Sequence, residues 1–266
     1  MHAGWNAVVR LGLDRFSSIL LLTLVQSGLS LLALPFVPVP AAEVWPWIIA
    51  SNVLHTGYKA FLVSAYEHGD LSQVYPLARG AAPLVVAVAG ALLLGEATTI
   101  TKTFAVVTIA LGVIVMSLKG GSGLSRMPAR AFGFALGSAC FTAAYTLVDG
   151  VGARLSGNAS GYAFWMFFSD GLFMLAYALL RRGPGILPNL LPAWRSGIVA
   201  GGLSLGSYWI AIWAFTKAPI ALVAALRETS VLFAMLIAMV VLKEPAGRWR
   251  WTAALLIGSG VILMRV

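Results

Sequence analysis

The chain is read first as a run of apolar stretches interrupted by glycine, proline and charge. Cutting it at those interruptions predicts helices over residues 2–13, 17–37, 44–66, 71–94, 98–118, 130–152, 160–180, 194–217, 219–242 and 249–265. Most have the roughly 20 residues that a membrane-spanning helix needs at about 1.5 Å rise per residue. The first is the exception. At a dozen residues it reaches about 18 Å, so it is either a half-span or the end of a helix that starts earlier.

The pattern also repeats. "LVVAVAGALLLGE", ending at Glu96, matches "LFAMLIAMVVLKE", ending at Glu244, at an offset of 148 residues. The same offset lays "GVIVM" at Gly112 over "GVILM" at Gly260, and Arg79 over Arg227. Weaker matches pair "AGWNAVVRLG" at Ala3 with "AAYTLVDGVG" at Ala143, and "QSGL" at Gln26 with "SDGL" at Ser169. The repeats are therefore placed at 1–118 and 130–266, and the first helix is expected to be truncated relative to its counterpart. Five helices per repeat, an odd number, force the halves to enter the membrane in opposite directions. The expected fold is all-α and membrane-integral, ten transmembrane helices forming two inverted five-helix repeats. Secondary transporters share that plan, with substrate held near mid-membrane.

Composition narrows the class further. Of 266 residues 60% are hydrophobic and 10% charged, too few polar residues to cover a water-soluble surface. The net charge of +9 is spread over short loops, which fits membrane orientation and not nucleic acid. Ten of the 18 basic residues lie in or beside loops after odd-numbered helices, a distribution that would put that side in the cytoplasm. The single Cys140 excludes an internal disulfide. His2, His55 and His68 lack metal-binding spacing, so neither a metal nor a cofactor is expected. "GLSLG" at Gly202 fits a hydrolase elbow only by chance, because it lies inside a span.

Polar residues within spans are the candidates for function, since each charge costs about 2.5–3.5 kcal/mol on insertion scales. Arg79 and Arg227 hold equivalent places in the two repeats. Two readings fit them: they hold a carboxylate or other anionic group of a substrate, or they are neutralised locally, Arg227 by Glu228 and Arg79 by Glu67 or Asp70. Asn52, His55 and Lys59 share one helix face, as do His2, Asn6 and Arg10. Tyr145 and Asp149 are one turn apart, and Asp170 lies halfway along its helix. Asp149, Asp170 and Glu228 are candidate proton carriers, with interhelical pairing to a base as the alternative for the two aspartates. Tyr75, Tyr208, Trp209, Trp213 and Trp165 either line a cavity or pack as anchors. Pro76 and Pro83 flank Arg79 within one helix and each removes a backbone hydrogen bond, a loss tolerated where the freed groups line a cavity or meet another helix. The helices at 98–118 and 249–265 carry no central charge and are expected at the lipid-facing periphery. Glycine pairs at 133 and 137, 197 and 201, and 202 and 206 predict close helix approach.

Several of these residues carry a resemblance. "HAGWN" near the start, "AYEHGDLSQVYPLARGAAPL" with Gly95 and Glu96, and the closing "LKEP" resemble the drug/metabolite transporter superfamily, EamA type, as two repeats over nearly the whole chain. The "HAGWN" and "HGDLSQVYPLARG" segments are similar to a subgroup labelled phosphonate-utilisation-associated membrane proteins. The resemblance implies ten helices around a central cavity and export or exchange of a small metabolite across the inner (plasma) membrane. No enzymatic activity is expected. The expected partners are a small-molecule substrate and the bilayer, with no nucleic acid, for a monomer or homodimer. The substrate-binding residues to expect are Arg79, Arg227, His55, Lys59, Asn6, Tyr75, Tyr145 and Trp213. A membrane enzyme acting on lipid-linked substrates and a non-transporting scaffold or sensor are the competing readings.

Overall fold

A computed structural model describes residues 13–69, 71–96, 99–118, 127–240 and 248–264. The helices are α1 (Arg15–Ala33), α2 (Trp45–His68), α3 (Leu71–Leu94), α4 (Ile100–Leu118), α5 (Ala129–Leu155), α6 (Ala159–Arg182), α7 (Trp194–Phe215), α8 (Ile220–Arg227), α9 (Ser230–Val240) and α10 (Arg248–Leu263). Among the described residues there is no strand. The predicted helix at 2–13 lies outside the described residues, as do Asn6, His2 and Arg10.

Local chemistry sets the helix ends. Asp14 caps α1, its carboxylate accepting from the Ser17 amide at 3.1 Å and the Ser17 hydroxyl at 2.8 Å. Asn158 caps α6 by accepting from the Gly161 amide at 2.7 Å. Gly183, at φ 72°, ends α6 in a conformation that other residues reach only with strain. Five stretches of the described residues are long and apolar enough to cross a membrane: Arg15–Phe36, Leu77–Leu94, Ala129–Leu155, Ala159–Arg182 and Pro184–Phe215. Large apolar side chains such as Leu32, Leu92, Leu93 and Leu180 stand exposed, as a lipid-facing surface requires.

The helix predicted over 71–94 runs unbroken through Pro76 and Pro83 as α3. A membrane helix tolerates such prolines when neighbouring groups take up the freed carbonyls. One local expectation changes: an interruption falls in the run predicted as one helix over 219–242. There α8 ends at Arg227 and α9 begins at Ser230, and the amides of Glu228, Thr229, Val231 and Leu232 each bond three residues back. Such tightening in mid-span commonly marks a hinge or a strained site. Neither proline nor glycine signals it. What distinguishes the point is the buried carboxylate of Glu228.

The chain divides into two compact units. Unit 1 comprises residues up to Lys59 and Val148–Lys217, and unit 2 comprises Ala60–Leu147 and Ala218–Val266. In unit 1, α1 packs against α6 and α7 through glycines. A Cβ on Gly171 would collide with Ser27, one on Gly197 would meet Leu21 at 2.8 Å, and one on Gly201 would meet Val25 at 2.5 Å. Of the predicted small-residue pairs, Gly137 is likewise tight against Phe61, but Gly133 and Gly206 have nothing within 4 Å. Spacing alone identified the glycines without distinguishing faces in contact from faces turned outward.

In unit 2, α4 and α10, expected at the lipid-facing periphery, pack on each other along one face and expose large apolar side chains on another. Ile109 and Ile257 are fully buried in their seam, while Phe104 and Leu255 on the same helices are exposed. A Cβ on Gly112 would lie 2.6 Å from the Ile257 Cγ1 and 3.1 Å from the Ala253 carbonyl; one on Gly260 would lie 2.5 Å from the Ile109 Cγ1 and 3.0 Å from the Ala105 carbonyl. Each of these three positions is 148 residues from its counterpart, so the contact is reciprocal. At these positions the offset found in the sequence is also a reciprocal contact in space. A seam of this kind needs no central charge because its partner surface is apolar.

Candidate functional site

The buried polar groups of unit 1 centre on α2. At helical spacing Asn52, His55 and Lys59 turn one face inward, and all three are buried. Each meets a residue far away in sequence. The Lys59 ammonium lies 2.6 Å from Asp170 Oδ2 on α6. His55 Nε2 lies 3.2 Å from Asp149 Oδ2 on α5. The Asn52 amide donates to the Ser169 hydroxyl at 2.7 Å.

Asp149, fully buried, is held by two phenols as well. Tyr208 on α7 donates to its Oδ2 at 2.6 Å, and Tyr162 on α6 donates to its Oδ1 at 3.0 Å. Charge-assisted bonds of this length offset much of the cost of burying the carboxylate. The Tyr208 ring also stands edge-on to the His55 imidazole, with centroids 5.6 Å apart, and fixes its orientation. Gly152, one turn beyond Asp149, gives the Tyr162 ring its room, since a Cβ there would fall 2.5 Å from the ring.

In unit 2, Arg79 on α3 reaches Glu228 at the tightened turn between α8 and α9. Nη2 stands 2.9 Å from Oε1 and Nε donates to Oε2 at 3.2 Å, a two-pronged match of guanidinium to carboxylate. Arg79 is thus met by the neighbour of its own repeat counterpart; of the loop carboxylates expected beside it, Asp70 lies outside the described residues. Under the 148-residue offset the position of Glu228 corresponds to Gly80, where a Cβ would meet Ile114 at 2.9 Å. The repeats therefore differ at this point. Arg227 is half-buried at the end of α8. Glu96, just past the end of α3, accepts from the Ile220 amide at 2.9 Å and so caps α8.

The remaining candidates are dispersed. Tyr145 is buried on α5, in unit 2, and Trp213 is exposed on α7, in unit 1. The Tyr75 side chain lies outside what the structure describes. Tyr162 escaped the sequence reading altogether; the only available signal was its place one turn into a helix capped by Asn158. Among the described residues no cluster of His, Cys, Asp and Glu could hold a metal ion.

Stacked apolar helices that carry ion pairs inside their spans define a multi-pass, all-α integral membrane protein. The EamA-like transporter family model matches residues 130–266, more than half of the chain, and the protein belongs to that family, within the drug/metabolite transporter type. A solved structure described as "Crystal structure of protein" is similar, with a TM-score of 0.77 and 15% identity over 99% of this chain and 96% of that one. At that identity the likeness shows the fold. No curated protein matches the chain.

Proposed function

We propose that this protein is a secondary transporter of the plasma membrane that exports or exchanges a small polar metabolite, of the amino acid or organic acid class, by alternating access. The observation that carries this reading is the set of ion pairs within the helices: Lys59 with Asp170, His55 with Asp149, and Arg79 with Glu228. Charges at such depth are costly, and in membrane proteins they mark substrate and ion paths. The basic members, together with Arg227, suit an anionic part of the substrate. Asp149, Asp170 and Glu228 are the groups able to carry a proton in exchange.

The test is flux in proteoliposomes holding the purified protein, with radiolabelled amino and organic acids at two external pH values. Concentration-dependent exchange is expected for at least one of them, and Asp149→Asn or Asp170→Asn should flatten its pH dependence. Absence of flux for every compound, with and without a pH gradient, would remove the transport reading.

A further inference from the structure

The pairing of Lys59 with Asp170 leaves part of the α2 and α6 chemistry unused. Asp170 gives only Oδ2 to Lys59; its Oδ1 is buried with no hydrogen-bond partner among the described residues. Asn52 spends its amide nitrogen on Ser169, and its Oδ1 is likewise buried and unpartnered. On the same helices, Thr56 Oγ1 and Trp165 Nε1 are in the same condition. Buried polar atoms are nearly always paired, so these four, with Ser51 Oγ on α2 a fifth in the same condition, call for a ligand that supplies their partners.

Their chemistry specifies that ligand. Asn52 Oδ1 and Asp170 Oδ1 only accept, Trp165 Nε1 only donates, and the Thr56 hydroxyl does either. Two acceptors, one of them anionic, suit the N–H groups of an ammonium. The indole donor suits an oxygen carried close to it. A simple anion would offer these two acceptors no N–H and is not the favoured guest.

We propose that Asn52, Thr56, Trp165 and Asp170 form a subsite in unit 1 for a small primary amine bearing an oxygen acceptor. This rests on the transport reading only for its biological meaning, since binding is measurable without flux. It narrows that reading, because a substrate with no ammonium group would leave the orphan acceptors unmet.

The experiment is calorimetric binding to the purified full chain in detergent, with ethanolamine, propylamine and glycolate as probes. Ethanolamine should bind tightest, propylamine more weakly for want of the oxygen, and glycolate weakest. Trp165→Phe keeps an aromatic ring and should erase the preference for ethanolamine over propylamine, a change that a packing role would not produce. The double variant Lys59→Met with Asp170→Asn removes the ion pair without stranding a charge, and should weaken ethanolamine about tenfold or more, as expected for loss of a charged hydrogen bond. Glycolate binding as well as ethanolamine, no probe binding at all, or Trp165→Phe leaving the preference intact would overturn the subsite. Amine binding without flux would retain the subsite and remove the transport reading. Flux of a metabolite with no amine binding would do the reverse.

Discussion

Arg79 and Glu228 form a two-pronged ion pair, 2.9 Å at its shorter contact, at a point where the other repeat carries glycine in place of the glutamate. Both side chains are almost fully enclosed. Removing one partner strands the other, which typically costs about 3–5 kcal/mol, whereas replacing both with apolar residues is often near neutral. Arg79→Met or Glu228→Met alone should therefore lower unfolding stability in detergent by about that amount, and the double variant should recover most of it. Additive losses would mean that the two residues act independently.

Asp149 offers a graded test. Tyr162→Phe and Tyr208→Phe each delete one hydroxyl and leave the ring, so each should lose about 1.5–3 kcal/mol, the usual worth of a hydrogen bond to a charged group. Because both donate to one carboxylate, the double variant should depart from additivity by at least about 0.5 kcal/mol. Chemical unfolding of the four proteins in one detergent supplies the cycle.

The reciprocal seam between α4 and α10 predicts matched damage. Gly112→Val and Gly260→Val should each destabilise by about 1–3 kcal/mol or more through overpacking, and by similar amounts. Gly206→Ala, on an open helix face, should be neutral or stabilising by up to about 1 kcal/mol through helix propensity. A thermal-shift comparison of the three variants checks this, and a tolerant Gly260 beside an intolerant Gly112 would break the symmetry.

Asp14 supplies a pH dependence. Burial raises its carboxyl pKa, but the Ser17 amide and hydroxyl and the Arg182 guanidinium, 2.7 Å away, outweigh that and hold it below the usual 3.8. A carboxyl lowered in the folded state contributes its stability above the unfolded pKa and loses it as pH falls through the folded one. Stability conferred by this cap should thus be complete above about pH 4 and shrink in more acidic solution. Asp14→Ala should cost about 0.5–2 kcal/mol at pH 7, and the difference from the unaltered protein should narrow towards pH 3.

The helices from residue 17 onward were legible because glycine, proline and charge punctuate apolar runs of membrane length. The reciprocal seam was foreshadowed because Gly112 and Gly260 recur at the same offset as Arg79 and Arg227. The break after Arg227 was not, since it depends on where Glu228 finds a partner and not on any helix-breaking residue. The pairings of Lys59 with Asp170 and His55 with Asp149 were equally hidden. Spacing showed that α2 has a polar face, but the carboxylates it meets lie about a hundred residues away, and only tertiary packing decides which base takes which acid. Tyr162 is invisible for the same reason: its hydroxyl matters only because Gly152 leaves space for its ring.

The reciprocal contact of Gly112 with Ile257 and of Gly260 with Ile109 is what a two-fold axis between identical chains produces. Two identical chains meeting across such an axis would make it twice, and any substitution would fall on both sides at once. Here both sides lie in one polypeptide, and each drifts alone. Glu228 facing Arg79 is such a difference: the matching combination, Arg227 with Gly80, lacks the carboxylate, so the charge pair is made once and not twice.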